Sequence, residues 1–356
     1  MMHSFTYQSL PSRVLFGAGM RRQVAQEAQH IGATRVLVVC TPEQVALAQQ
    51  VADDLGRVCA GIFSGAVMHV PVEVANEAIA KAVSLGADAV VAIGGGSTTG
   101  LAKAIALKSE LAVIAIPTTY AGSEMTPIYG LTEGGVKVTG RDARVLPKSV
   151  IYDAELTTSL PLQLSVTSGI NAIAHAAEGL YAHDGNPITS LMARDGIRSM
   201  GRAIGELSKD PLSPDARADA LYGAWLCGSV LGAVSMAIHH KLCHTLGGSF
   251  NLPHAQTHTI VLPHALAYNQ TYAPQAMSLI AGALNASNAP QAVYELANLN
   301  GASVALRDIG MQAEDLDKAC DLALQNQYPN PRPLEKKGLR ALLQAAFEGV
   351  PPTEYE

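Results

Sequence analysis

The chain has 356 residues, 48% hydrophobic and 15% charged, which is enough for two packed domains and too apolar for a disordered polymer. Its 24 basic and 30 acidic side chains form no basic stripe, so a nucleic-acid partner held through phosphates is excluded. Five cysteines, an odd number without CxxC spacing, argue against a disulfide framework and fit a reducing cytoplasm, and no apolar run or signal-like N-terminus predicts a membrane partner or export.

In chain order, residues 20–31 carry a helical pattern and 35–40 read as a strand. The alternation continues with a helix over 43–55, a strand over 61–64, a helix over 72–85, a strand over 87–93, a helix over 98–107 and a strand over 111–116. A last strand-like run ends at 150–152. Strands alternating with crossover-length helices predict a doubly wound, mainly parallel, Rossmann-like α/β domain. Beyond Pro161 the pattern is Ala- and Leu-rich helical periodicity, with Ser159 a candidate N-cap. The expected division is therefore a nucleotide-binding domain over 1–156 and an all-helical domain over 157–356.

The 87–93 strand runs into Gly94-Gly95-Gly96-Ser97 and then a helix. Glycines allow close backbone approach, and a helix N-terminus offers open amides to a pyrophosphate. This is neither G-x-G-x-x-G nor a P-loop, and a tight turn without a ligand has the same signature. The next strand ends in Thr118-Thr119-Tyr120-Ala121-Gly122-Ser123. Two adjacent small polar loops at the carboxyl ends of parallel strands define one crevice, so Thr118, Thr119 and Ser123 join Gly94, Gly95, Gly96 and Ser97 as candidate cofactor contacts. After the 35–40 strand, Cys40 and Thr41 stand where a carboxylate would discriminate against a 2′-phosphate, which predicts that NADH and NADPH are both usable, with Thr41 near the adenosine end.

The second half concentrates histidines: His175 with Asn171, His239, His240, His244, His254, His258 and His264. Asn171 and His175 are spaced i,i+4, as are His240 and His244, so each pair projects from one helix face. Converging neutral imidazoles suit either a divalent metal or the binding of anionic oxygen with proton transfer, and spacing does not choose between them.

Gly94-Gly95-Gly96-Ser97, Pro117-Thr118-Thr119 with Gly122-Ser123-Glu124, Ala174-His175-Ala176-Ala177-Glu178, and His244-Thr245-Leu246-Gly247 through Pro253-His254 resemble, in this order, the iron-containing alcohol dehydrogenases. The resemblance implies a dehydroquinate synthase-like fold, an active site in the cleft between an α/β and an all-helical domain, and commonly a homodimer. The family's metal site resembles one aspartate and three histidines; here Asn171 takes the aspartate position, with His175, His244 and His254 remaining. Neutral donors alone hold a cation weakly, so no metal requirement is expected.

Asn171, the Thr98-Thr99-Gly100 continuation of the glycine loop, Thr139-Gly140-Arg141-Asp142 and Asn330-Pro331-Arg332-Pro333 are similar to the maleylacetate reductase branch of the family. That branch reduces the carbon–carbon double bond of a dicarboxylate, maleylacetate, to 3-oxoadipate in the breakdown of aromatic compounds. The alternative is a metal-dependent iron or zinc alcohol or glycerol dehydrogenase. The expected catalytic set is His175, His244 and His254, with Arg141, Lys241 and, less directly, Lys103 as cations for a dianionic substrate.

Overall fold

A computed structural model describes residues 5–10, 12–134 and 136–355. It divides into two compact units, one spanning Ser9–Leu160 and one formed mainly by the chain from Pro161 onward.

The first unit is built on β1 (Arg13–Phe16), β2 (Val36–Val39), β3 (Cys59–Phe63), β4 (Ala89–Gly94), β5 (Ala112–Pro117), the β6/β7 hairpin (Ile128–Glu133 and Val136–Arg141) and β8 (Ser149–Tyr152). Six of these strands form one sheet in the order β1-β8-β5-β4-β2-β3, every pair parallel. The helices between them are α1 (Val24–His30), α2 (Val45–Leu55), α3 (Val72–Ser84) and α4 (Gly96–Ser109). Val36, Val38, Val91, Ile93, Ile114 and Ile116 pack on one face with Val24 and Ala28 of α1 and Ala48 and Val51 of α2. Leu37, Val39, Val90, Ala92 and Val113 pack on the other with Ala75 and Ala78 of α3 and Leu101 and Ile105 of α4. Successive side chains alternate faces, so a sheet covered on both sides needs strands that are apolar throughout, as these are.

The doubly wound parallel sheet matches the sequence expectation, with two additions. The expected helix over 20–31 begins as a 3-10 turn, Met20–Gln23, and strand β1 and the antiparallel β6/β7 hairpin stood in no predicted element. Four residues at a sheet edge and a strand pair outside the main sheet give too short or too mixed a pattern to show in periodicity.

From β2 the chain moves outward to β3, then returns to the other side of β2 for β4 and continues to β5. The carboxyl ends of β2 and β4 therefore flank the point where the winding reverses, the place at which open parallel sheets bind ligands.

The second unit consists of α5 (Leu162–Leu180), α6 (Pro187–Leu207), α7 (Pro214–Ala233), α8 (Ile238–Phe250), α9 (His254–Asn269), α10 (Pro274–Ala283), α11 (Ala289–Leu299), α12 (Leu316–Ala323) and α13 (Lys336–Glu348). Helix α5 starts after Pro161, which occupies the N-cap without a side-chain bond, so Ser159 does not cap it. Nearly all of α5 from Ser165 to Gly179 is buried, the mark of a central helix. A methyl group added at Gly196 of α6 would come within 2.8 Å of Cys227 Sγ, and one at Gly223 of α7 within 3.0 Å of Met200 N, so these glycines set how closely α6 and α7 approach. Among the described residues no single helix is long and apolar enough to cross a membrane.

Candidate active site

In the α/β unit the candidate cofactor residues gather where the winding reverses. Gly94 ends β4 with φ of 150°, and a Cβ there would collide with Thr98 Oγ1 and lie 2.6 Å from Gln44 Oε1. Gly95 is the N-cap of α4 without any side-chain cap, so the first amides of that helix stay open to an anion. A Cβ on Gly95 would press on Thr119 at 3.0 Å, whereas Gly96 has ordinary space. Ser97 lies in the first turn of α4, and the loop after β5 is tied to this turn by Thr118 N donating to Gly94 O at 3.0 Å. Thr41 stands at the N-cap position of the 3-10 turn Pro42–Gln44 after β2, without a side-chain capping bond, and Gln44 Nε2 donates to Thr118 Oγ1 at 3.0 Å. The loops after β4 and β5 meet, as the paired motifs led one to expect, and the loop after β2 joins them through Gln44.

Two hydroxyls in that set already have protein partners. Thr118 is buried and accepts from Gln44, and Ser123 lies against Lys103, whose Nζ is 2.5 Å from Ser123 O and 3.3 Å from Ser123 Oγ. Lys103 itself is fully buried, so the sequence expectation that it helps bind a dianionic substrate is corrected: its ammonium is consumed by main-chain and hydroxyl oxygens. Arg141 ends β7 in this unit, exposed, opposite Ile128 in the hairpin register.

The helical unit brings the histidines together. Asn171 and His175 sit one turn apart on α5, and the His175 ring is 5.2 Å from that of His240 and 6.4 Å from that of His258. His240 lies 6.0 Å from His244, one turn further along α8, and 5.0 Å from His258. His254, the first residue of α9, is 4.2 Å from His258, its i+4 neighbour. The three expected catalytic histidines thus share one cluster, but its centre is His240 and His258, which the sequence named without assigning a role.

The organising group is Glu178, a fully buried carboxylate on the last turn of α5. Helix α8 has Ala237 as its N-cap, which offers no side-chain capping bond, and Glu178 supplies one from outside. Its oxygens accept from Ala237 N at 2.8 Å, His239 N at 2.7 Å and His240 N at 3.4 Å, satisfying amides a helix start leaves open and placing negative charge at the positive dipole end. The same carboxylate takes His240 Nδ1 at 2.8 Å. With Nδ1 donating, the proton of the neutral ring is on Nδ1, and Nε2 is left as a lone pair. Burial pushes the Glu178 carboxyl up, against the pull of His239 and three backbone donors.

Burial likewise holds His175, His240 and His258 well below the ordinary imidazole value and takes His239 down to about 3, with mutual repulsion adding to it. These four rings are neutral at physiological pH. His244 is only half-buried and His254 exposed; His244 Nδ1 pairs with the Tyr328 hydroxyl at 3.1 Å, and Lys241 Nζ stands 5.8 Å over the Tyr328 ring. Tyr328, like Glu178, had no place in the expected set. Glu178 did leave a sequence signal, an acid three residues after His175 in an otherwise apolar helix; Tyr328 left none.

Donor atoms of His239, His240 and His258 lie within 4.8 Å of one another, close enough to share a metal ion. His239 is committed, Nδ1 facing His240 Nδ1 at 3.3 Å and Nε2 facing His258 O at 3.0 Å. Asn171 Oδ1, His175 Nδ1, His240 Nε2 and both His258 nitrogens are buried without a protein partner. That donor set fits a borderline divalent cation in kind, and none of it carries a charge.

The family model of the iron-containing alcohol dehydrogenases matches residues 11–154, and the C-terminal model of the same family matches residues 165–347. The chain belongs to the iron-containing alcohol dehydrogenase family, and it is an oxidoreductase. It is 59% identical to a maleylacetate reductase of Burkholderia cepacia over 99% of this chain and 100% of that protein. A maleylacetate reductase of Sphingobium indicum is 56% identical over 98% of this chain and 99% of its own length. The crystal structure of maleylacetate reductase from Agrobacterium tumefaciens superposes with a TM-score of 0.95 at 52% identity, covering 99% of this chain and 100% of that one.

Proposed function

We propose that this chain reduces the carbon–carbon double bond of maleylacetate to 3-oxoadipate with NADH or NADPH. The observation that carries it is a buried cluster of neutral imidazoles, ordered by Glu178, in a chain more than half identical to maleylacetate reductases from end to end.

The uncapped start of α4 and the glycines Gly94 and Gly95 receive the pyrophosphate, with Gly96, Ser97, Thr119 and Thr41 bordering it. The reduced nicotinamide, when bound, supplies the hydride that adds to the β carbon of the enone. Negative charge then develops on the enolate oxygen, and a proton must reach the α carbon. His175, His240 and His258 are too deeply buried to carry a charge, so they hold the site as neutral groups, while proton delivery falls to His244 or His254 at its wetter margin. Tyr328 orients His244 through Nδ1. Arg141 and Lys241 are the cations assigned to the two carboxylates.

Asn171, His175, His240 and His258 are the residues that would hold a divalent cation, which would supply Lewis-acid polarisation of the ketone. Turnover does not require it in this proposal, because four uncharged donors hold a cation weakly. The deciding experiment is NADH oxidation with maleylacetate before and after exhaustive chelation: retained turnover supports the reading, loss restored by iron or zinc overturns its metal-free part, and turnover on alcohols with none on maleylacetate favours a metal-dependent alcohol dehydrogenase. With Thr41 at the β2 end, NADH and NADPH are both used; a preference above about a hundredfold, roughly 2.7 kcal/mol, counts against that. The same reading makes the chain a cytoplasmic homodimer, its five cysteines free, to be checked by light scattering on purified protein.

A further inference from the structure

We propose that Lys103 is a positioning residue for the coenzyme, a buried cation that locks the loop after β5 onto the helix that starts at the glycine turn. This rests on the reading that those two loops hold NAD(P)H.

Lys103 lies two turns into α4, and its side chain has no exposure to solvent. An uncompensated ammonium in that place is costly, and burial pushes its pKa down to about 7. What offsets the cost is the charge of the buried Glu124 carboxylate together with a ring of oxygens from one short segment: Ser123 O at 2.5 Å, Ser123 Oγ at 3.3 Å, Thr126 Oγ1 at 2.9 Å and Ile128 O at 2.8 Å. Glu124 lies inside the same segment, buried, with its carboxylate taken by the Tyr152 hydroxyl at 2.8 Å. The segment is also closed on itself by Met125 N to Gly122 O and Thr126 N to Ser123 O.

The consequence is geometric. Thr118, Thr119 and Ser123 belong to the loop after β5, whereas Gly95, Gly96 and Ser97 belong to the start of α4. Backbone pairing of Thr118 with Gly94 joins the two at one end, and Lys103 joins them at the other. A dinucleotide spanning both loops needs their spacing held within a fraction of an ångström, and the cation supplies that spacing without touching the ligand. Its loss therefore weakens coenzyme binding and leaves the chemistry of the histidine cluster intact.

The test compares wild type with Lys103→Met, Thr126→Val and Gly95→Val, measuring NADH dissociation constants by nicotinamide fluorescence together with kcat, both KM values and thermal unfolding. Lys103→Met should raise the NADH dissociation constant and KM tenfold or more, with kcat at saturating NADH within threefold and KM for maleylacetate unchanged. Thr126→Val, which removes one of the oxygens, should raise the NADH dissociation constant about threefold, and this milder variant decides the matter if Lys103→Met fails to fold. A folded Lys103→Met that binds NADH like wild type, or loses kcat and both KM values in parallel, overturns the proposal, as does unchanged binding by Thr126→Val. Gly95→Val tests the underlying reading separately. If it binds NADH normally, the loops are not the coenzyme site and both readings fall; if it loses NADH while the other two variants keep it, only the role of Lys103 falls.

Discussion

Replacing Glu178 with glutamine tests whether one carboxylate fixes both the start of α8 and the tautomer of His240. The change is nearly isosteric, but a carboxylate is acceptor-only and an amide is not. If the amide oxygen keeps His239 N, the NH2 group faces Ala237 N and His240 Nδ1, which now must accept. The His240 proton moves to Nε2, so the atom that was a lone pair inside the cluster becomes a donor. One buried N–H left unpaired costs about 1–3 kcal/mol, and the lost charge-assisted bond roughly as much again. At about 2–4 °C per kcal/mol for a domain of this size, unfolding should move down by roughly 4–24 °C. A misassigned tautomer beside a reacting group costs on the order of a hundredfold or more in kcat. The assay is maleylacetate-dependent NADH oxidation at 25 °C, below the lowered transition, with NADH binding measured alongside and expected to stay unchanged. A folded Glu178→Gln with kcat within threefold of wild type would refute the argument.

His244→Ala should lower turnover by about a hundredfold if this ring delivers the proton, and unchanged kcat would remove it from the mechanism. Tyr328→Phe removes the Nδ1 partner of His244 and should lower kcat roughly tenfold, about 1.4 kcal/mol, with little change in unfolding temperature; equal rates would show that the ring is oriented by other contacts. Acid should act on the helical unit through its buried imidazoles. His239 at about 3 and His264 at about 4 lie below the unfolded value near 6.5, so the folded state binds fewer protons than the unfolded one in between. Stability is therefore full above about pH 6.5 and falls as pH drops below it, by up to about 1.4 kcal/mol per pH unit for each such histidine. Denaturant titrations from pH 7.5 to 5.5 check this, and a flat profile contradicts it.

The alternation of strands and helices, the parallel sheet and the glycine turn were legible in the sequence because each has a local cause. Apolar runs of four to six residues mark strands buried on both faces, and three glycines before a helix mark a turn with open amides. The share of the histidines on one face of α5 and of α8 was legible for the same reason, since i,i+4 spacing is a property of the helix alone. What only the tertiary structure decided is which partner each polar group meets. Lys103, read as a free cation for a substrate, turned inward to the oxygens of Ser123, Thr126 and Ile128, 20 to 25 residues away in sequence. Glu178 reached across to cap a helix that starts at Ile238, and so set the proton on His240, while Tyr328 arrived beside His244 from a distant loop. Periodicity records how a residue faces its own helix or strand; the protonation and hydrogen bonding of a buried group depend on atoms brought near it by packing, and those come from anywhere in the chain.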